Sequence, residues 1–252
     1  MFYKDTAGEF DDTDVTAAGK NLGLKQRYER VKGGKIFDMC GILNLDLGTQ
    51  PRLLISGTTI RVLFLKAKDN FTLLDTSGAF RLQIENISLF IRKCDVSSSI
   101  VVGHEKALEQ ALVQMPFTRI ETKNFTLSSG LKSVIIPNAM NGILPSLMIL
   151  GLVSNSAFNG DFKKNPFNLK NYNLSYISLS ENGVQIPMST YTPSYKNDYS
   201  ASDPFKNVAQ SGDISIHLKF DEDLPETVTL LVYMEMQSLT EIDKSRNIFT
   251  DY

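Results

Sequence analysis

The chain has 252 residues, 42% of them hydrophobic and 21% charged, with a formal net charge of −2. That apolar content excludes disorder along the whole chain, because it can offset the entropy of ordering. The near balance of charge excludes a global field drawing it to nucleic acid or an anionic membrane, and its two cysteines, Cys40 and Cys94, form no CxxC pair, which excludes a disulfide-stapled scaffold and a cysteine-based zinc module.

Residues 1–35 differ from the rest. Asp5, Glu9, Asp11, Asp12 and Asp14 make an acidic start, and Lys20, Lys25, Arg27, Arg30, Lys32 and Lys35 a basic continuation. Apolar residues are few and without period, so the stretch reads as a linker or arm. The N-terminus lacks the layout of a signal peptide, so reduced thiols inside a cell are expected. From residue 36 to 252 we expect one jelly-roll domain.

Strand patterns begin at 36. The stretch 37–47 is mostly apolar and ends at Gly48. In 58–66, Ile60, Val62 and Phe64 share one face, while Leu63 and Leu65 break the alternation, which suggests burial on both faces. A turn at Asp69-Asn70 leads into 71–74. In 80–94, Leu82 and Ile84 keep one phase and Ile87, Leu89 and Ile91 the other, the signature of a β-bulge near Glu85-Asn86.

One segment reads as helix. In 100–115, Val101, His104, Leu108, Leu112 and Met115 recur at helical spacing, Ser97 to Ser99 are candidate N-caps, and Pro116 stops the run. Alternation returns over 117–127, and 131–136 and 147–153 are further apolar strands. The 143–153 stretch is the most apolar of the chain, but Pro145, Ser146 and Gly151 break it, so no membrane span is expected.

Asn182-Gly183, between strands 173–179 and 184–186, is the strongest hairpin signal, with Pro187 closing it. Residues 189–210 read as a polar, tyrosine-dotted loop. Two clean strands follow. Ile214, Ile216, Leu218 and Phe220 alternate with polar residues, and Val228, Leu230, Val232, Met234 and Met236 define one face of the last. Its other face carries Leu231 and Tyr233, which calls for a cover by self-association or by a packed loop. About eight to ten strands with one inserted α-helix, not alternating with helices, predict an all-β fold: a two-sheet sandwich of Greek-key or jelly-roll type.

The search for chemistry is negative. Asp11, Asp12 and Asp14 do not fit a calcium loop, because Ala17 and Gly23 stand where its glycine and closing glutamate belong. Gly33-Gly34-Lys35 lacks the spacing of a phosphate loop, with Glu29 and Ile36 at its outer positions. His104 lies on the apolar stripe of the helix and reads as a packing residue. His217 faces away from Ile216 and Leu218, towards solvent or an interface. Cys40 and Cys94 read as buried, unreactive thiols within strands. Six cations in 20–35 could neutralise phosphates, but Tyr28 is the lone interleaved aromatic, and a solvated linker is the better reading. No catalytic, cofactor-binding or metal residue is assigned, and no enzyme activity is expected.

The residues themselves carry a resemblance. Phe37-Asp38-Met39-Cys40-Gly41-Ile42-Leu43-Asn44-Leu45-Asp46, Gln50-Pro51-Arg52-Leu53-Leu54-Ile55-Ser56-Gly57 and Phe64-Leu65-Lys66-Ala67-Lys68-Asp69 come first. Leu89-Phe90-Ile91-Arg92-Lys93 with 104–109 follows, then Gly151-Leu152-Val153 with Asn155-Ser156-Ala157-Phe158-Asn159-Gly160, Lys164-Asn165-Pro166-Phe167-Asn168, and 224–252 from Leu224-Pro225-Glu226-Thr227-Val228 onwards. Together these resemble major capsid proteins of Polinton/Maverick-type elements and adintovirus-like viruses, over most of the chain. The resemblance implies a double jelly-roll coat protein of a double-stranded DNA virus that forms pseudo-hexagonal trimers, without catalytic residues. It further implies a homotrimer, neighbouring capsid subunits with penton or minor capsid proteins as partners, and a place in the virion after assembly in the host nucleus or cytoplasm. Family members are roughly twice as long, Met1 falls where their two barrels are linked, and 187–212 is shorter than theirs. The expectation is therefore the second barrel, with the first jelly roll missing and the loops 158–171 and 189–210 as contact surfaces. The alternative is a stand-alone jelly roll that binds carbohydrate or a receptor.

Overall fold

The computed structural model describes residues 4–46, 48, 50–195 and 211–250; of these, the side chains of 186–189 and 211 are not described. Two antiparallel sheets form the body. One carries β1 (Val113–Leu127), β7 (Val228–Ile242) and β3 (Leu147–Ser154) in that order, with short β8 (Ile248–Thr250) beside β7. The other carries β2 (Ser133–Ile143), β6 (Ser211–Phe220), β4 (Leu174–Glu181) and β5 (Val184–Tyr191). The two late strands each sit between early ones: β7 separates β1 from β3, and β6 separates β2 from β4. Successive strands β1, β2 and β3 alternate between sheets. This interleaving is the jelly-roll order, so the all-β sandwich expected from the pattern is the fold.

The core follows the period-two pattern of the late strands. Ile214, Ile216, Leu218 and Phe220 of β6 face Val228, Leu230, Val232, Met234 and Met236 of β7, all buried. Leu127, Ile136, Met140 and Leu152 complete the layer. Each fully buried aliphatic side chain contributes about 1.5–3 kcal/mol relative to exposure.

Local chemistry sets the turns. Asn182 and Gly183 have φ of 48° and 82°, the two left-handed positions of a type I′ hairpin turn. β5 continues through Pro187 to Tyr191 and does not end at the proline. It is an edge strand, where a missing N–H costs no ladder bond. Its register shifts between Ile177↔Tyr191 and Leu179↔Ile186. A second bulge lies in β2 between Ile136 and Met140, where Asn138 has φ 48°.

Ahead of the sandwich the chain departs from the sequence pattern. Residues 36–97 form no strand ladder among the described residues; the sole regular element there is the four-residue α2 (Asp69–Thr72). The strands expected over 37–47, 58–66 and 80–94 join no ladder among the described residues, so the bulge expected near Glu85-Asn86 has no paired strand there to interrupt. An alternating sequence specifies a strand's faces, not its neighbour. Cys40 and Cys94, expected to be buried, are therefore exposed.

α3 spans Ser98–Gln110, five residues shorter than expected at its C-terminal end, and lies ahead of β1 rather than between paired strands. Ala111 is its C-cap, so Pro116 does not stop it: Pro116 sits inside β1, and Met115 is buried there. Of the expected helical stripe, Leu108 is buried, whereas Val101 and His104 are exposed. Residues 1–35 contain a helix that the weak apolar period did not suggest. α1 (Leu22–Val31) is capped by Asn21, whose carboxamide oxygen accepts from Leu24 N at 3.3 Å.

Candidate functional site

The richest polar constellation lies at one end of the sandwich, where β3 leaves the sheet. β3 ends at Ser154, and α4 (Asn155–Asn159) turns the chain back. Asn155 N donates to Thr227 O at 3.0 Å and Asn155 Nδ2 to Thr229 Oγ1 at 2.9 Å, pinning α4 to the start of β7. Asn159 Nδ2 donates back to Asn155 O at 2.9 Å.

Glu226, just ahead of β7, organises the centre. Its Oε2 accepts from Ser154 Oγ at 2.8 Å and pairs with Lys164 Nζ at 2.9 Å, and its Oε1 accepts from Tyr172 OH at 3.0 Å. Burial works to raise the Glu226 pKa, but the hydrogen bonds from Lys164, Ser154 and Tyr172 outweigh it and hold the carboxyl below its ordinary range. The Tyr172 hydroxyl is pushed upward, first by burial and then by its bond to Glu226. Lys164 Nζ also donates to Ser154 Oγ at 3.1 Å, and Ser154 Oγ lies 3.0 Å from Ser156 Oγ. Serine beside lysine can serve nucleophilic catalysis when the lysine is free to take the serine proton. Here the lysine is bound to a carboxylate and Ser154 is buried. The arrangement is that of an ion pair holding a loop.

The same loop gathers two distant segments. Asp11 Oδ1 accepts from Asn165 N at 2.8 Å and its Oδ2 from Asn168 Nδ2 at 2.6 Å, with Lys170 Nζ 3.5 Å away. Asn70 Nδ2 donates to Gly160 O at 2.8 Å, and Asp75 N to Phe162 O at 2.9 Å. Phe71 meets Phe167 edge to face with centroids 6.3 Å apart. Gly160 has φ 102°, and a Cβ there would lie 2.7 Å from Asn70 Oδ1. The glycine is required both by conformation and by the close approach of Asn70. The stretches Asn155-Ser156-Ala157-Phe158-Asn159-Gly160 and Asn165-Pro166-Phe167-Asn168 thus build a hub between the arm, the 69–78 segment and the sandwich.

A second anchor lies at the far end of β7. Arg246 donates from Nε to Ser56 O at 2.9 Å and pairs with Glu105 of α3. It ties the extended segment and α3 to one sheet.

The residues singled out from sequence fall as follows. Asp11 joins the hub, so the acidic start is not simply solvated. Asp12 accepts from Asp14 N at 2.9 Å and from Lys20 N, and these backbone bonds hold its carboxyl low. Among the described residues no group of three or more His, Cys, Asp or Glu is arranged to hold a metal ion. The basic continuation is largely matched within the chain: Arg27 pairs with Asp5 at 2.7 Å, Lys20 with Glu9 at 3.5 Å, and Lys32 with Glu29. Gly33 and Gly34 are exposed just past α1. His104 is exposed, not packed. His217 does face away from the core; its ring lies 5.1 Å from Tyr176, edge to face, and its Nε2 is 3.1 Å from Ser133 Oγ. Burial first, and the Lys219 charge second, lower its pKa. On the other sheet Leu231 and Tyr233 are half-buried, and Tyr233 OH donates to Glu235 at 2.8 Å. The Tyr233 pKa is raised by that bond first. Of the expected contact loops, 158–171 is the hub; of 189–210, residues 189–191 belong to β5 instead of a loop, and 196–210 lie outside the described residues. Arg246 was not singled out from sequence, Asn70 appeared there only as part of a turn and Glu226 only within the stretch from Leu224, because their partners are distant in the chain.

Comparisons with known proteins add little to this geometry. No family model matches. An uncharacterised protein of Caenorhabditis elegans is 24% identical over 149 residues, 58% of this chain. The match spans 36% of that relative, so the relative is much the longer of the two. Among solved structures, the PBCV-1 virus capsid quasi-atomic model superposes with 10% identity and a TM-score of 0.37, covering 60% of this chain and 54% of that one. At that TM-score the superposition carries no argument about this chain. No helix among the described residues is long and apolar enough to cross a membrane.

Proposed function

We infer that this chain is a structural coat subunit, the second barrel of a double jelly-roll capsid protein that works in trimeric capsomers within a virion. The observation that carries the reading is a jelly-roll sandwich preceded by some sixty residues, 36–97, whose apolar side chains the sandwich does not bury. A domain whose work is contact has this form: a rigid two-sheet body, loops braced by a polar hub, and apolar surface left for neighbours. The capsid-protein resemblance of the residues names the kind of neighbour. The hub stretches that carry the most specific part of that resemblance hold the arm and the 69–78 segment, as expected of parts that set the orientation of one barrel against another. On this reading the partners are further copies, a first jelly roll and other coat proteins, and 1–35 is a brace between barrels. No step of catalysis is assigned.

The test is light scattering after size-exclusion chromatography, with negative-stain microscopy, on the full chain alone and co-expressed with the polypeptide encoded upstream. Trimers or larger shells in the co-expressed sample are expected. A well-behaved monomer indifferent to that polypeptide would overturn the reading and favour a stand-alone binding domain.

A further inference from the structure

We propose that Asn182-Gly183, at the tip of the β4–β5 hairpin, is a site of spontaneous backbone modification: the Gly183 amide closes on the Asn182 side chain, water reopens the ring to aspartate or isoaspartate, and the edge strand β5 is loosened. The inference goes beyond the coat-subunit reading and does not depend on it. The chemistry needs water and no partner protein. The Gly183 nitrogen attacks Asn182 Cγ, a five-membered imide forms, and the carboxamide nitrogen leaves as ammonia, carrying the proton that the Gly183 amide gives up. Water then opens the ring. Opening at the side-chain carbonyl gives aspartate on the original backbone. Opening at the backbone carbonyl gives isoaspartate, whose backbone runs through the former side chain and is one carbon longer. A glycine suits the second position because no Cβ shields its nitrogen.

The chain has three Asn-Gly pairs, at 141–142, 159–160 and 182–183, and all three asparagines are exposed, so neither sequence nor exposure ranks them. Two observations do. The first concerns the nucleophile. Gly160 N donates to Ala157 O at 3.2 Å, and Gly142 lies inside the β2–β6 ladder opposite Gly212. Gly183 is instead the second residue of a two-residue turn. Such a turn is closed by its flanking residues, here Glu181 and Val184, which leaves the Gly183 N–H outside the ladder.

The second concerns the carboxamide. Asn159 Nδ2 donates to Asn155 O and Asn155 Oδ1, both at 2.9 Å, and these bonds hold the nitrogen that would have to leave. The Asn141 carboxamide, oriented with its nitrogen towards acceptors, donates to Met140 O at 2.9 Å and Asp213 Oδ1 at 3.2 Å, so its leaving nitrogen is held too. In Asn182 it is the oxygen that is held: Asp213 N donates to Asn182 Oδ1 at 3.2 Å, and Asn182 N donates back to Asp213 O at 3.0 Å. Negative charge gathers on Asn182 Oδ1 as Gly183 attacks, and the Asp213 N–H stabilises it there as a donor of an oxyanion hole does.

The surroundings say what the product does. A Cβ on Gly212 would lie 2.9 Å from Glu181 Oε1 and 3.1 Å from Asn182 Nδ2, so these two side chains crowd over one glycine. A carboxylate at 182 puts a second negative charge beside Glu181, and the two repel. Isoaspartate also lengthens a turn whose two left-handed residues, at φ 48° and 82°, set β4 against β5. β5 is the edge strand of its sheet, so the damage stays at that edge and spares β6 and β7.

The test ages the full chain in mildly alkaline buffer, folded in one sample and unfolded in urea in another, and follows the three pairs by mass spectrometry of peptides with their isomers separated. In urea the three react at similar rates, because each is an Asn-Gly pair in open chain. In the folded sample the expected result is modification at 182 about tenfold or more ahead of 141 and 159, with isoaspartate among the products. Amide protection over 184–185 falls as the product accumulates, while that of β6 and β7 holds. Asn182→Gln, whose closure would need a six-membered ring, shows no such loss with time. Equal rates at the three pairs in the folded chain, or a lead for 141 or 159, overturns the proposal. So does a lead at 182 of the same size in urea, which would belong to the sequence and not to the fold. Unchanged protection over 184–185 in fully modified chain overturns the effect on β5.

Discussion

Glu226 illustrates how much one residue can hold. It accepts from a β3 serine, a loop lysine and a loop tyrosine, so its removal takes a partner from three donors at once. Leaving buried donors unpaired costs about 1–3 kcal/mol. Glu226→Ala should lower the melting temperature and loosen 160–173, read by amide exchange, whereas Glu226→Gln should retain part of the stability. The same carboxyl sets a pH dependence. Its folded pKa lies below the ordinary 4.5, so its stabilisation is complete above that value and is lost as pH falls through the folded pKa. Acid unfolding of the wild type below about pH 4.5 should be shallower in Glu226→Gln; identical acid profiles would show that the carboxylate is not the titrating support. Asn21 acts at the same scale. Asn21→Ala removes the cap of α1 and should cost the arm about 1 kcal/mol, seen as faster exchange over 22–31 with the sheets unaffected.

Elements respond according to their turns and their burial. Gly183 holds φ 82° in the β4–β5 turn, so Gly183→Ala should destabilise by about 1 kcal/mol and broaden the signals of that hairpin before those of β7. Leu218 is fully buried in β6, between β2 and β4, and Leu218→Ala should cost about 2–5 kcal/mol in a chemical-denaturation experiment, the span of large-to-small replacements in a packed core. A loss under 1 kcal/mol there would mean that β6 is not the centre of its sheet. The contrast with 58–66 is instructive. Its apolar alternation resembles that of β6, yet it pairs with nothing described, because pattern records a wish for burial and leaves the partner open.

Across the whole molecule, three devices join parts that the chain keeps far apart. The Asp11 clamp, the Asn70–Gly160 contact and Arg246 with Glu105 and Ser56 fix the arm, the 69–78 segment and α3 to the two ends of the sandwich. Asp11→Ala should free the arm without unfolding the sandwich: proteolysis within 4–20 should accelerate while the melting of the core stays within about 1 kcal/mol. Coordinated loss of both would show that the arm belongs to the core's cooperative unit.

The sequence by itself determined the class of fold and its best strands. The alternations of 214–220 and 228–236 predicted the two central strands and their buried faces, and Asn182-Gly183 predicted the hairpin, because a two-residue side-chain period and a left-handed turn are local properties. It also determined that chain-local catalytic spacings are missing around His104 and His217. What the tertiary structure alone decided is partnership. α3 ended at Gln110, ahead of Pro116, and β5 ran through Pro187 because an edge strand tolerates a missing N–H. The role of Glu226 depended on residues up to 72 positions away, and that of Asp11 on residues up to 157 away. The strand-like segments of 37–94 joined no ladder among the described residues, since a period-two pattern fixes a strand's faces and not its neighbour. Hydrogen bonds and apolar contacts between distant segments are set by loop closure and three-dimensional packing, which no local period encodes.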